Sequence, residues 1–332
     1  MKKMLNKKNI SWTIFAAALF TIIQILISTK VIGYFHQITL FTVCINILLA
    51  LGLNLIVGFS GQFSLGHAGF MAVGAYSAAI MLVKIPNYLG LLLGILLGII
   101  ITTIVALVIA IPTFRLRGDY LAIATLGFSE IIRIAVLNMK ITNGAAGMSN
   151  IPVLTKWPIM FIAILLAIVI IVNFAKSSHG RATASVREDE IASESVGINT
   201  TKYKTISFII GAGIASVAGA LYASYFSIIA PEAFNVQMSI DILVIVVFGG
   251  MGSLSGSVVA AIVLGLINMA LQSYSSIRNI LYAAAIIAIM VFRPKGLFGN
   301  KEIDITKVKD IPSIIKTKII NIKKKFSKKE VS

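Results

Sequence analysis

The amino-acid sequence predicts an all-α protein, a polytopic membrane helix bundle of about ten spans with glycine-broken helices and one short helix on its cytoplasmic face. Three observations carry this. Of 332 residues, 58% are hydrophobic and 12% charged, and the mean hydropathy is +0.96, far outside the range of soluble globular domains. Apolar runs of membrane-spanning length recur along most of the chain. The formal charge of +17 gathers at the two ends and in a few loops, and these fall on one side when the runs are taken as spans. That distribution follows the positive-inside rule and argues against a nucleic-acid partner. The single cysteine, Cys44, lies in an apolar run, which excludes an intrachain disulfide and reads as a small buried residue.

Residues 1–11, with Lys2, Lys3, Lys7 and Lys8, read as a basic cytoplasmic N-terminus. Residues 12–28 follow as the first span. No A-x-A-like cleavage site follows at Ser28-Thr29-Lys30, so this run reads as a retained helix rather than a signal peptide. Further apolar segments cover roughly 38–57, 67–83, 89–111, 121–137, 157–175, 205–229, 237–248, 255–272 and 277–292, so the membrane domain is 12–292. Arg115, Arg117, the loop 176–204 and the lysine-rich tail 293–332 then fall inside. Single charges such as Lys30, Lys84 and Lys140 fall in outward turns. The tail is expected to associate with anionic membrane lipid. Gly90, Gly94 and Gly98, and later Gly211, Ala215 and Gly219, recur at the spacing that lets helix backbones approach closely.

Two glycine-rich stretches interrupt the apolar pattern. The first, within Leu51–Ile80, carries Gly58, Gly61, Gln62, Ser64, Gly66, His67 and Gly69. The second, Phe248–Gly256, carries Gly249, Gly250 and Gly252. The first reads as a cytoplasmic turn or as a break within the membrane. Non-helical backbone survives in lipid only when protein covers it or when it lines a wet path, and paired broken segments point to a transport pathway. His67 reads as a hydrogen-bonding helix-terminus residue, a metal or proton-relay role being the alternative. Glu130 and Arg133, three residues apart on one span, read as a structural ion pair, with a role in the pathway or gating as the other reading. Asp241 opens the eighth segment at the interface.

The outward loop 138–157 is rich in turn residues, Asn143, Gly144 and Gly147 among them. On the other side, Ser185–Val196 of the long loop reads as a short amphipathic helix, with Gly197 placed as its C-cap. Its weak apolar face suits docking on a cytoplasmic partner better than resting on headgroups. The sequence has no G-x-x-x-x-G-K-[ST], H-E-x-x-H or G-x-S-x-G, so no ATP-binding loop and no enzyme machinery is recognisable. Three classes remain: a subunit of an ATP-driven transporter, a secondary transporter and a channel.

Five stretches occur in order: LGLNLIVGFSGQFSLGHAGFMAVGAYSAA (Leu51–Ala79), RLRGDYLAIATLGFSEIIR (Arg115–Arg133), GRATASVREDEIASESVGIN (Gly180–Asn199), VFGGMGSLSG (Val247–Gly256) and FRPKGLFG (Phe292–Gly299). Together they resemble the permease subunits of bacterial branched-chain amino-acid ABC importers, of the LivM type. The resemblance implies a LivH-like permease partner, two cytoplasmic ATPase subunits that bind the ATP, and an extracytoplasmic solute-binding protein. It implies no cofactor and no metal in this chain, and a bacterial plasma-membrane location with both termini inside. It makes the loop helix a coupling helix, with Arg187, Glu188, Asp189, Ala192, Glu194 and Gly197 at or near the ATPase contact. It makes the two glycine-rich stretches line or flex around an alternating-access pathway. Where relatives commonly have two alanines, this chain has Ala192-Ser193. Relatives of this type carry branched-chain or other amino acids, urea, short amides or nucleosides, so the cargo stays open.

Overall fold

The structure, a computed structural model, describes residues 7–31, 33–114 and 118–271, with isolated positions 280, 283–284, 287 and 296 beyond them. The expected tenth segment falls largely outside the described residues, and Arg115, Arg117 and the basic tail 297–332 lie wholly outside them. The described residues fall into two units, one ending at Val31 and one beginning after it. The described part of the first is α1 (Lys7–Ser28), with an apolar stretch over Ala16–Ser28. Everything below belongs to the second.

Six helices there are long and apolar enough to cross a membrane. They are α2 (Tyr34–Asn54, prolonged by a π-helical turn Leu55–Phe59), α3 (His67–Lys84), α4 (Tyr88–Thr113), α5 (Asp119–Asn138), α6 (Trp157–Lys176) and α9 (Thr200–Phe226). Between α6 and α9 lie two short polar helices, α7 (Ser178–Glu188) and α8 (Glu190–Ser195). The sequence pattern gave two further spans at 237–248 and 255–272. In their place stand α10 (Val236–Gly249) and α11 (Leu254–Ala270), bent by 119° across a four-residue break. The reason is length. Fourteen residues of α10 reach only about 21 Å at 1.5 Å per residue, short of a hydrocarbon core of about 30 Å. Counting that pair as one broken or re-entrant span, the described residues hold up to seven spans.

α3 and α9 form the centre, flanked by α2 and α4. Contact there is backbone to backbone. A Cβ on Gly74 would run into the Ser216 carbonyl, and one on Gly219 into that of Met71. Gly52 and Gly211 face each other across α2 and α9, while Gly94 and Gly98 of α4 rest on Ala78 and on Gly74 with Ser216. Both small-residue rows read from the sequence are therefore packing faces. α4 and α6 bury only a stripe. Their remaining faces, with Ile100, Ile104, Leu166 and Ile170, are exposed, as a lipid-facing surface requires.

At one end, the loop after α5 is tied to the loop after α9. Met148 and Ile229 exchange two backbone hydrogen bonds of 2.9 Å, and Ser227 donates to the Ile151 carbonyl at 2.8 Å. Asn143, in the left-handed region at φ +62°, donates to the Gly147 carbonyl and closes the turn read there from sequence.

Candidate functional site

The first glycine-rich stretch breaks the α2–α3 connection inside the protein. α2 loosens into its π-helical turn, with Ser60 N–H reaching back to the Leu55 carbonyl at 3.2 Å. Residues 60–66 then run non-helically with alternating burial. Ser60, Gln62, Ser64 and Gly66 face inward, while Gly61 and Phe63 are exposed. Freed backbone groups find protein partners, as a break in lipid demands. Leu65 N–H donates to Thr125 Oγ1 of α5 at 3.0 Å, and Ala68 N–H at the start of α3 donates to Ser239 Oγ of α10 at 3.1 Å. Gly66 and Gly69 sit against the backbones of Thr125 and Ser129. The Gln62 amide donates to Ser60 Oγ. His67 does begin a helix, but it acts by packing. It is fully buried, its ring lies against Gly52, and neither ring nitrogen makes a hydrogen bond of ordinary geometry, although the Leu49 backbone lies alongside.

The second stretch turns the chain between α10 and α11. Gly250 and Gly252 have φ of +109° and +92°, a region that side chains disfavour, and Ser253 caps α11 by accepting from Gly256 N–H at 3.0 Å. Gly249 and Gly256 meet backbone to backbone across the bend. Gly296, from the FRPKGLFG motif, comes so close to Gly250 that a Cβ would stand 2.8 Å from its backbone.

These two breaks join. Asn54, fully buried at the end of α2, accepts from Gly252 N–H at 2.8 Å and donates to the Ser253 carbonyl and Ser257 Oγ, both at 2.8 Å. A Cβ on Gly58 would collide with the Gly252 nitrogen. Asn54 is one of the polar residues that mark the first glycine-rich stretch in the sequence, whereas Ser257 carries no signal of its own there.

The polar loop reaches the same place. In place of one helix over 185–196, α7 and α8 meet at Asp189, whose extended backbone (φ −154°) starts α8 and whose carboxylate accepts from Ala192 N–H at 3.0 Å. Asp favours a cap over a helix interior, which explains the break. Gly197 ends α8 as read from sequence. Its φ is +84°, its N–H bonds to the Glu194 carbonyl at 2.9 Å, and Ile198 N–H bonds to that of Ser193 at 3.0 Å. Side chains pin α8 to α9: Lys204 meets Glu190 at 2.6 Å, and Thr200 Oγ1 donates to Glu194 Oε1 at 2.8 Å. Ser193, the departure from the alanine pair, shares a 2.9 Å hydrogen bond with Ser185 of α7. Arg187 is exposed, yet its Nη1 reaches the Gly58 carbonyl and donates to it at 2.6 Å, with Gly61 against its side chain. All six residues expected at a cytoplasmic contact, Arg187, Glu188, Asp189, Ala192, Glu194 and Gly197, are exposed, beside exposed Ile191 and Val196.

The loop, the end of α2 and the α10–α11 bend thus form one connected unit. Residues 35–292 match the family described as branched-chain amino acid transport system / permease component. The chain belongs to this permease family. The high-affinity branched-chain amino acid transport system permease protein LivM of Salmonella typhimurium is 33% identical over 76% of this chain and 67% of its own length. LivM of Escherichia coli is 34% identical over the same shares. The LivH permease protein of Escherichia coli is 28% identical over 45% of this chain and 47% of its own. The permease is a multi-pass membrane protein of a transporter family, not of an enzyme class.

Two further polar groups of the permease lie on partly or fully exposed helix faces. Arg133 Nε donates to both carboxylate oxygens of Glu130, at 2.9 and 3.0 Å, on a partly exposed face of α5. The two pair on one helix face, as their spacing predicts, and Glu232 adds a second negative charge near Arg133. Asp241 is exposed on α10 and accepts from Gln237 Nε2 at 3.1 Å. Among the described residues, no three His, Cys, Asp or Glu side chains gather where they could hold a metal ion.

Proposed function

We propose that this chain is a LivM-type permease subunit of an ATP-binding-cassette importer, pairing with a homologous LivH-like permease to form a pathway for branched-chain amino acids across a bacterial plasma membrane. The observation that carries the reading is the contact of Arg187, in the polar loop, with the Gly58 carbonyl at the broken end of α2. A loop that touches the interior break can hand a movement outside the membrane to the pathway. In this reading two ATPase subunits bind the ATP and dock on the exposed side of this loop, through Glu188, Asp189, Ala192, Glu194 and Gly197, with Arg187 carrying the movement inward. A solute-binding protein delivers cargo to the paired loops at the opposite end, and both termini are cytoplasmic. Each state must be favoured by different contacts, and the Asn54–Gly252 join is a contact that one state can hold and the other release.

The test is uptake of labelled leucine into proteoliposomes holding this chain with its partner permease, ATPases and binding protein. Uptake that requires ATP and the binding protein is the expected result. Leucine uptake by this chain alone, driven by an ion gradient, would overturn the reading.

A further inference from the structure

A polar cavity of about 360 Å³ opens between α2, α10 and α11, and nothing in the unit described above uses it. Its walls carry Asn46 from α2, Gln237 and Asp241 from α10, and Asn268 from α11, with Met238, Ile242 and Ile245 between them. The volume lies within the usual range of small-molecule sites. Among the described residues, no lysine, arginine or aromatic ring lines it.

Position ties this cavity to the join. Asn46 and Asn54 are eight residues apart on α2, as are Asp241 and Gly249 on α10, about 12 Å along either helix. The same two helices that meet at Asn54 and Gly252 therefore separate, two turns earlier, to form the cavity. With the sidedness read from the sequence, α2 and α10 both start at the outer surface. The cavity is then the outward mouth, and the join is its floor.

We propose that this cavity receives the transported solute, and that Asp241 holds the ammonium group of a neutral aliphatic α-amino acid there. Gln237 occupies one carboxylate oxygen of Asp241 and leaves the other for a cation. The amide N–H groups of Asn46 and Asn268, on the facing helices, suit the α-carboxylate. Met238, Ile242 and Ile245 give a branched side chain an apolar wall. Other cargoes of such systems fit less well. Urea or a short amide brings no positive charge to pair with that carboxylate. A nucleoside base finds no ring to stack on.

This inference rests on the importer reading, and the experiment separates the two. Asp241→Asn, Asp241→Glu, Asn268→Ala and, as a control away from the cavity, Gly213→Ala, where a Cβ meets nothing within 4 Å, are each assembled with the partner subunits. Assembly is checked by size-exclusion chromatography, and ATP-driven leucine uptake is measured at saturating binding protein. The expected result is a loss of at least about tenfold for Asp241→Asn, substantial recovery in Asp241→Glu, a smaller loss for Asn268→Ala and none for Gly213→Ala. Wild-type uptake by Asp241→Asn, or equal loss in Asp241→Asn and Asp241→Glu, would overturn the site and leave the importer standing. Should Asp241→Asn fail to assemble, undiminished uptake by Asn268→Ala would overturn it as well. Failure of the wild-type importer to take up leucine would remove both readings together.

Discussion

Arg187 Nη1 and the Gly58 carbonyl lie 2.6 Å apart, although the residues are separated by 129 positions and belong to different motifs. The carbonyl is one that the loosened end of α2 leaves for an outside donor, and a charged donor makes the stronger kind of hydrogen bond. Replacing Arg187 with alanine cuts the loop from the break without touching the exposed face of α8. ATPase subunits are expected to co-purify with Arg187→Ala at the wild-type level while leucine uptake falls about tenfold. Loss of the ATPases instead would return Arg187 to the docking surface.

Asn54 spends both ends of its amide on the α10–α11 bend. Asn54→Leu keeps the size and strands the Gly252 N–H, while the Ser253 carbonyl keeps the Ser257 N–H at 3.1 Å. The expected cost is about 1–3 kcal/mol, seen as a lower midpoint in thermal unfolding of the purified protein in detergent. An unchanged midpoint would mean that the join contributes nothing to this state.

Much of this was legible from local pattern. Apolar runs located α2 to α6 and α9, and the glycines marked both breaks. Gly197 gave the end of α8 because only a residue free to adopt positive φ finishes a helix that way. What the pattern could not carry was pairing. Asn54 and Gly252 are 198 residues apart, and no periodicity says which break faces which. Hydropathy also counts apolar residues without asking where a helix turns, so α10 and α11 read as two spans. Asp189 did hold a signal, since it is a better cap than helix interior, but a run of good helix formers on both sides outweighed it.

Two glycines of the central pair separate packing from flexibility. At Gly74 a Cβ would overlap the Ser216 carbonyl, whereas at Gly213, in the middle of α9, it would meet nothing within 4 Å. Gly74→Ala is expected to destabilise by about 1–3 kcal/mol as α3 and α9 are pushed apart. Gly213→Ala is expected to be neutral, or to stabilise by up to about 1 kcal/mol through helix propensity. Thermal unfolding midpoints of the two variants check the contrast, and equal effects would sink the close-approach argument.

The Glu130–Arg133 pair, on a partly exposed face, predicts compensation. Removing either partner leaves a charge without its counterion, while removing both leaves none. Glu130→Gln and Arg133→Gln should each lower stability more than the double variant does, and the double variant should keep leucine uptake within about threefold of wild type. Abolished uptake in a stable double variant would instead give the pair a part in transport.

Gly197 offers the sharpest test of the loop. Its φ of +84° is closed to proline, whose ring fixes φ near −65°, and its N–H, which proline lacks, bonds to the Glu194 carbonyl. Gly197→Pro therefore unwinds the end of α8, and Glu188→Lys reverses a charge on the exposed side of the loop. Both lie away from the α3–α9 centre, so the doubly substituted chain should insert in the membrane at normal levels. With partner subunits supplied, its ATP-driven leucine uptake is expected to drop below detection and its yield of bound ATPase to fall. Normal uptake by that variant would mean that α8 is not where force enters the permease.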